Sequence, residues 1–340
     1  PLARRRAAPA GLDIREATPD DRPAIVELCR AALGWGDDPR FEQLFGWKHD
    51  ENAFGPSYMW VAADGARVVG LRAFMRWEFV RGGRVLRAVR AVDTATHPEY
   101  QGRGLFTAMT RHGVEQVRAD GVDFVFNTPN AKSRPGYLKM GWQEVGNLPV
   151  AIKLSGPSAV MRVARSRVAA SHWPLDLDVG ESVDDLLARA AVAPRLTDDP
   201  RAIVTNRSAA FVRWRYGAPW LGYRAVPLES AVGAGAPGRP PGPADAVLVR
   251  ARRRGSATEL VLLDVLGDSP DLDAATDSVG SAAVGAAHAT HALRLGPANP
   301  RRGFVPFPGG GPMLTWRRLN ERAMSPLANW QLTMGDVELF

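Results

Sequence analysis

Cysteine is almost missing from this chain: Cys29 stands alone among 340 residues. An intramolecular disulfide is therefore impossible, and a thiolate metal cluster is excluded. Cys29 lies in "AIVELCRAAL", an apolar helical pattern in which a packed core thiol is expected. No apolar run reaches the length of a membrane span. The basic start "PLARRRAAPAG" has no apolar run behind it and does not read as a signal peptide. A soluble cytoplasmic protein without a membrane partner is the expectation. Acidic residues are the minority charge, 36 against 43 Lys and Arg, for a net of +7. The arginines are spread along the chain instead of gathered with aromatics on one face. That distribution argues against a nucleic-acid partner and suits a phosphorylated small molecule.

What is present is globular: 45% hydrophobic residues with 23% charge, in a length sufficient for two ordinary domains. "LDIREAT" reads as a first strand, and "TPDD" as the cap of a helix through "RPAIVELCRAAL", with Thr18 or Asp20 capping and Gly34 closing it. A second helix is expected over "PRFEQLFGWKH". Three strands rich in β-branched and aromatic residues follow, separated by Asp64-Gly65 and Gly82-Gly83, the dipeptides of two-residue hairpins. Next come a helix in "RGLFTAMTRHGVEQVRAD", a strand without polar interruption in "VDFVFNTP", a short helix or turn in "NAKSRPGYLKMG", and one more strand over "WQEVGNLPVAIKL". An antiparallel half joined to a βαβ crossover predicts an α/β class with a mixed sheet covered by helices.

The chemistry is signalled by "THPEYQGRGLFTAMTRHG", Thr96 to Gly113. Gly102 and Gly104 allow backbone amides to converge at the start of a helix, where free N–H groups and the helix dipole suit phosphate oxygens. The stretch is neither a Walker loop nor a G-x-G-x-x-G dinucleotide loop, and on glycines alone an ordinary strand-to-helix turn is an equal reading. The wider context shifts the balance. "HPEYQGRGL" resembles the acetyl-CoA signature of the GNAT (GCN5-related) N-acetyltransferases, Q/R-x-x-G-x-G/A, with Gln101 and Gly104 in the signature places. "NAKSRPGYLKMGW" resembles the second motif of that family, with Asn130, Tyr137, Gly141 and Trp142 in its places. The resemblance covers about residues 12 to 153. Phe106 departs from the G/A of the first motif, so the first helical turn must pack differently there.

This resemblance implies a GNAT fold and acetyl-CoA, or another acyl-CoA, as acyl donor, with no metal. It implies that the amides of Gln101, Gly102, Arg103, Gly104 and Leu105 hold the pyrophosphate and that Val92, Asp93 and Thr94 border the pantetheine arm and thioester. Asn130 joins the donor-binding set. Arg103 adds charge to the phosphates or is simply solvated. An amine attacks the thioester directly, and Tyr137 occupies the place of the general acid, since a phenol of pKa about 10 is protonated at neutral pH and can donate to a thiolate. Asp93 is a candidate base, or alternatively a structural carboxylate. The terminal carboxylate of Phe340 is a rival, and Glu99 reads as a solvated loop residue. A lysine-like amine costs about 4–5 kcal/mol to deprotonate at pH 7 and an α-amine only about 1, so the need for a base depends on the acceptor.

The expected organisation is a flexible start (residues 1–11), a catalytic domain (12–154) and an accessory, degenerate GNAT-like domain (155–340) that makes the fold a tandem. In the second half, "SGPSAVMRVARSRVAASHWP" reads as a linker or basic helix, "SVDDLLARA" as a helix, Ala231 to Asp245 as an exposed loop, and "AVLVRARRRGSATELVLLDVLGD" as a hairpin. A small-residue helix is expected in "DAATDSVGSAAVGAAHATHAL", followed by strands in "PMLTWRRL" and "NWQLTMGDVELF". His288 and His291 are read as helical neighbours with no carboxylate beside them, hence no metal site. "FVRWRYGAPW" reads as an aromatic-basic anchor between domains, or as a surface for a sugar or polyanionic acceptor. Trp35, Trp47, Trp60 and Trp77 suit an amino sugar or aromatic substrate, or simply fill the core. The overall reading is an N-acyltransferase acting on a small-molecule amine, of undetermined oligomeric state. The alternatives are a catalytically inactive binding or sensor protein and a tRNA-dependent aminoacyl-transferase.

Overall fold

Backbone freedom at two glycines builds one of the hairpins of the sheet. Gly82 and Gly83 have φ of 53° and 76°, the left-handed pair that a type I′ turn requires, and they join strand β3 (Arg67–Arg81) to β4 (Arg84–Thr96). A computed structural model describes residues 11–166, 168–191, 199–228, 245–267, 279–280, 283–307, 311–321 and 323–338. The expected loop over Ala231 to Asp245 up to its last residue, nearly all of the start through residue 11, the first part of the small-residue helix and the Phe340 carboxylate lie outside these residues. Among the described residues no helix is long and apolar enough to cross a membrane.

The chain divides into two units. The first takes the described residues up to Phe79, with Arg84–Gly146 and Met313–Pro326. Its other elements are β1 (Asp13–Glu16), α1 (Arg22–Leu33), α2 (Arg40–His49), β2 (Tyr58–Asp64), α3 (Leu105–Ala119), β5 (Phe124–Asn127), α4 (Arg134–Lys139) and β6 (Gln143–Asn147). The strands run β1-β2-β3-β4-β5, then Met313–Arg318, then β6. β1, β2 and β3 pair antiparallel, β4 and β5 pair in parallel, and Met313–Arg318 runs antiparallel to β5. The result is the mixed sheet expected from the alternation of elements.

Packing follows from the burial pattern. All four residues of β5 are buried; Phe124 stacks with Phe79, while Phe126 meets both Phe79 and Trp77 edge-on. Helix α3 approaches the sheet at Gly113, where a Cβ would lie 2.6 Å from Trp60 Cζ3. Helix α1 buries Ile25, Val26, Leu28 and Cys29 and is closed by Gly34 at φ 72°. Thr18 caps one turn earlier than its helix: it forms a capping box with Asp21 over a 3-10 turn, Pro19–Asp21, and α1 begins after it. Trp47, Trp60 and Trp77 are core residues. Trp35 stacks on Phe41 at 5.6 Å.

The second unit comprises Val80–Gly83, Asn147–Pro312 and the described residues from Leu327 on. Its sheet orders Arg224–Pro227, Ala246–Arg254, Ala257–Leu266, His291–Leu295, Val150–Leu154 and Val305–Pro306. The hairpin turning at Gly255-Ser256 is present, and Ala257–Leu266 pairs in parallel with His291–Leu295. Helices cover Pro157–Arg165, Val183–Arg189 and Ala209–Tyr216.

Three local expectations are corrected, and one residue of the aromatic-basic segment is placed. "WQEVGNLPVAIKL" is two strands, one in each sheet, because Pro149 interrupts the ladder. "NWQLTMGDVELF" is not a strand: Leu327–Asn329 is a 3-10 turn and Met334–Val337 a short helix whose Thr333–Asp336 capping box overrides strand propensity. His291 opens a strand, and its Nε2 lies 3.2 Å from Glu259 Oε2, a carboxylate brought near by the sheet and not by sequence. Arg215, from the aromatic-basic segment, is buried inside its own unit, donating to Tyr223 Oη and to the carbonyls of Gly335 and Glu338.

Candidate active site

The parallel ladder of β4 with β5 pairs Ala88, Val89 and Arg90 with Phe124, Val125 and Phe126. β4 then continues through Val92, Asp93 and Thr94 to Thr96, while β5 ends at Asn127. A strand running on past its partner leaves backbone groups for another use. The loop that follows closes at Gly102 and Gly104, with φ of 76° and 82°, values that any residue with a Cβ adopts only under strain. A Cβ at either glycine would meet no heavy atom within 4 Å, so the backbone here borders open space. Gly104 is the N-cap of α3 and has no side-chain cap. The first helical bond runs from Ala108 N to Gly104 O, so the amides of Leu105, Phe106 and Thr107 precede the helical ladder. A cavity of about 450 Å³ lies against these groups, lined among others by Thr94, Gln101, Gly102, Gly104, Phe106 and Ser133.

Arg103 stacks its guanidinium over the Tyr100 ring at 4.7 Å. Tyr100 in turn donates to Asp64 at 2.6 Å, which raises the phenol pKa through that hydrogen bond. Glu99 is exposed and pairs with Arg67 at 3.1 Å. Asn130 works locally: its Oδ1 accepts from the amides of Lys132 and Ser133 at 3.0 and 2.9 Å, fixing the turn from which α4 starts. That short helix delivers Tyr137, 4% exposed, into contact with Phe106 at 5.3 Å and Trp142 at 5.0 Å. Phe106, the departure from the glycine motif, therefore packs over Tyr137. A Cβ on Gly136 would lie 2.9 Å from its ring, so Gly136 makes the room.

Asp93 is held at one carboxylate oxygen by two neighbours. Its φ of 33° places a non-glycine residue in the left-handed region, a local strain that its surroundings must hold. Oδ2 accepts from Lys48 Nζ at 2.8 Å and lies 2.8 Å from His49 Nε2. Burial alone would raise the carboxyl pKa, but the Lys48 charge and the His49 hydrogen bond outweigh it and hold the group well below the usual carboxylate range. His49 is wholly buried, and desolvation lowers its pKa despite the Asp93 contact. A neutral ring with Nε2–H donating to Asp93 leaves Nδ1 to accept from Ser57 Oγ at 2.8 Å. Arg72 completes the group: its Nη1 donates to Tyr137 Oη at 2.9 Å and also to Thr94 Oγ1.

Residues 13–145 match the family model for the acetyltransferase (GNAT) domain. Residues 13–145 form a GNAT domain. The rest of the chain lies outside that match. No curated protein matches the sequence. Among solved structures, a conserved protein from Enterococcus faecalis described as a probable N-acyltransferase is similar over 91% of this chain and 73% of its own, with a TM-score of 0.56 and 10% identity. GCN5-related N-acetyltransferases from Kribbella flavida (TM-score 0.53, 15% identity, 91% and 71% covered) and Anabaena variabilis (0.55, 12%, 91% and 73%) are similar to the same extent. At such identities the likeness is one of fold.

Within the GNAT domain, the elements bring Thr94, the glycine loop and Tyr137 around one region, with Asp93 next to Thr94 in β4. Sequence reading did not single out Arg72, Lys48 or His49. Arg72 was legible as the one charge in the apolar run "VVGLRAFM" of β3, whereas the meeting of Lys48 and His49 with Asp93 is a tertiary event. A larger cavity, about 650 Å³, lies in the second unit beside Asp264. There Asp264 is already bound by Arg207 Nε at 2.7 Å and Tyr216 Oη at 2.8 Å, so volume alone does not make it the site. Among the described residues no group of His, Cys, Asp and Glu could hold a metal ion.

Proposed function

We propose that this chain transfers an acyl group, most simply acetyl, from acyl-CoA directly to the amine of a small molecule. The observation that carries the reading is the open space over two left-handed glycines at the uncapped start of α3, a place where backbone amides and the helix dipole favour phosphate oxygens. The residues present fit that donor. Gln101 to Leu105 would hold the pyrophosphate, with Arg103 beside it, and Val92 to Thr94 would border the pantetheine arm where β4 outruns its ladder with β5. Bound acyl-CoA supplies a thioester whose carbonyl carbon an amine can attack.

The side chains then have separate tasks. Tyr137 holds a proton for the departing sulfur. Asp93, already committed to Lys48 and His49, serves as a fixed negative charge in the strand that borders the thioester, and its depressed pKa makes it a weak proton acceptor. The acceptor is accordingly an amine that sheds its proton readily near neutral pH, an α-amine type instead of a lysine type. Three of the tryptophans that suggested a sugar platform are core residues, so the amino-sugar assignment loses its main support. The second unit, with its hairpin beside a parallel strand pair, is a degenerate relative of the first.

Isothermal titration with acetyl-CoA and longer acyl-CoAs tests the reading without any guess about the acceptor. Micromolar binding, near −8 kcal/mol, is expected for at least one of them. Absence of heat with every CoA species would sink the proposal.

A further inference from the structure

Arg72 sits in the middle of β3 with its neighbours Leu71, Ala73 and Phe74, all of them fully buried, as Arg72 itself is. Its guanidinium lies 4.7 Å from the Phe74 ring centre, 5.4 Å from that of Tyr137 and 5.8 Å from that of Phe106. Nη1 serves both the Tyr137 and Thr94 hydroxyls. Nε and Nη2 are buried with no hydrogen-bond partner among the described residues, and none of the groups bonded to Arg72 is a carboxylate. A buried cation without an anion is costly. Such a group is sensible where a negative charge forms beside it during a reaction.

The direction of the hydrogen bond says which charge. A guanidinium can only donate, so the Tyr137 oxygen accepts and its own O–H stays free for another acceptor. We propose that Arg72 is a positioning residue for Tyr137, turning the phenol proton toward the departing sulfur and stabilising the phenolate left behind. The inference rests on the transferase reading above. In the step, the amine lone pair forms the new C–N bond at the carbonyl carbon, and the C–S bond breaks with its electron pair on sulfur. Sulfur takes the Tyr137 proton, the phenolate pairs with Arg72, and water later restores the phenol proton and removes the surplus proton of the amine. The guanidinium is buried among Phe74, Phe106 and Tyr137, and a buried setting strengthens the charge pairing at the moment it forms.

The thiol of bound CoA reports this arrangement without turnover. A free thiol of this kind titrates at about 8.5, and its thiolate is followed by ultraviolet absorbance on the protein–CoA complex. The bound thiol is expected to titrate about one unit lower in the wild type than in Arg72→Gln, a tenfold change in thiolate stability. Tyr137→Phe should give the same loss, and the double variant no more than either single one, because Arg72 acts through Tyr137. In turnover, R72Q should lower kcat and leave the KM for acetyl-CoA unchanged. Should R72Q not fold, Arg72→Lys carries the test, since a compact ammonium cannot serve both hydroxyls with the geometry of the planar fork. Equal titration in wild type and variant, or losses that add in the double variant, would overturn the inference and leave the transferase reading standing. Failure of the wild type to bind CoA would overturn both.

Discussion

Gly104 separates folding from ligand binding, because its backbone angle and the space above it act on different quantities. Gly104→Trp forces a residue with a Cβ to φ 82°, at a strain of about 1–2 kcal/mol. The side chain itself meets no heavy atom within 4 Å at its Cβ, so little steric penalty is added within the protein. A melting temperature lower by about 2–8 °C follows. Binding loses more. An indole filling the space over the α3 amides removes at least two hydrogen bonds to a charged phosphate, each worth about 1.5–3 kcal/mol. The total of about 3–6 kcal/mol is a factor of about 10² to 10⁴ in Kd. Gly113→Ala is the matched control, since its Cβ would collide with Trp60 at 2.6 Å and overpacking of this kind costs about 1–3 kcal/mol, away from the glycine loop. Calorimetric titration with acetyl-CoA alongside thermal melting distinguishes the two variants. If Gly104→Trp melts lower yet binds acetyl-CoA with wild-type affinity, the loop is an ordinary strand-to-helix turn and the argument fails.

Other outcomes follow from the same geometry. Tyr137→Phe should keep CoA affinity while kcat drops by about 10² to 10⁴, the usual range for losing a positioned acid; steady-state kinetics showing full activity would remove Tyr137 from the mechanism. Cys29, whose pKa burial pushes up to about 12, should resist alkylation in the folded protein and react only on unfolding, which mass spectrometry after iodoacetamide treatment will read. His49 has a folded pKa below its ordinary 6.5, so on acidification the unfolded chain takes up a proton that the folded chain refuses. Stability should therefore fall below about pH 6.5, by up to about 1.4 kcal/mol per pH unit. The depressed carboxyl of Asp93 adds a second loss below about pH 4; urea midpoints that stay flat from pH 7.5 to 5 would contradict the His49 part. In the second unit, Arg207 pairs with both Asp264 and Asp336 at 2.7 Å, all three buried. Arg207→Ala should cost about 3–5 kcal/mol in chemical denaturation, because two carboxylates lose their cation.

Local rules made the first half of the chain legible. Hairpin glycines at Gly65 and Gly82-Gly83 fix turns wherever they occur, and the apolar run of β5 can only be a central strand. The two short motifs placed the glycine loop and Tyr137 because such motifs are contiguous in sequence. What was hidden depends on contacts distant in sequence. Asp93 meets Lys48 and His49 across about 45 positions, and Arg72 reaches Tyr137 across 65. No periodicity reports those meetings. The last segment misled for a local reason: "NWQLTMGDVELF" carries strand-like side chains, but the Thr333–Asp336 capping box starts a helix there.

The strand Met313–Arg318 carries a consequence for how the protein is made. It lies between β5 and β6, with Thr315 opposite Asn127 and its Oγ1 2.6 Å from Asn127 Oδ1. A ribosome that has just finished β6 at Asn147 must still add every residue to Arg318 before that place in the sheet can be filled. At roughly 5–20 residues per second, the nascent sheet waits on the order of 10–30 seconds with the fully buried strand β5 lacking a neighbour. An interrupted translation product would therefore present an open, aromatic-rich strand edge instead of a finished site. Completion of the glycine-loop domain is tied to synthesis as far as Arg318, and copies that stop short of that strand carry an unfilled sheet.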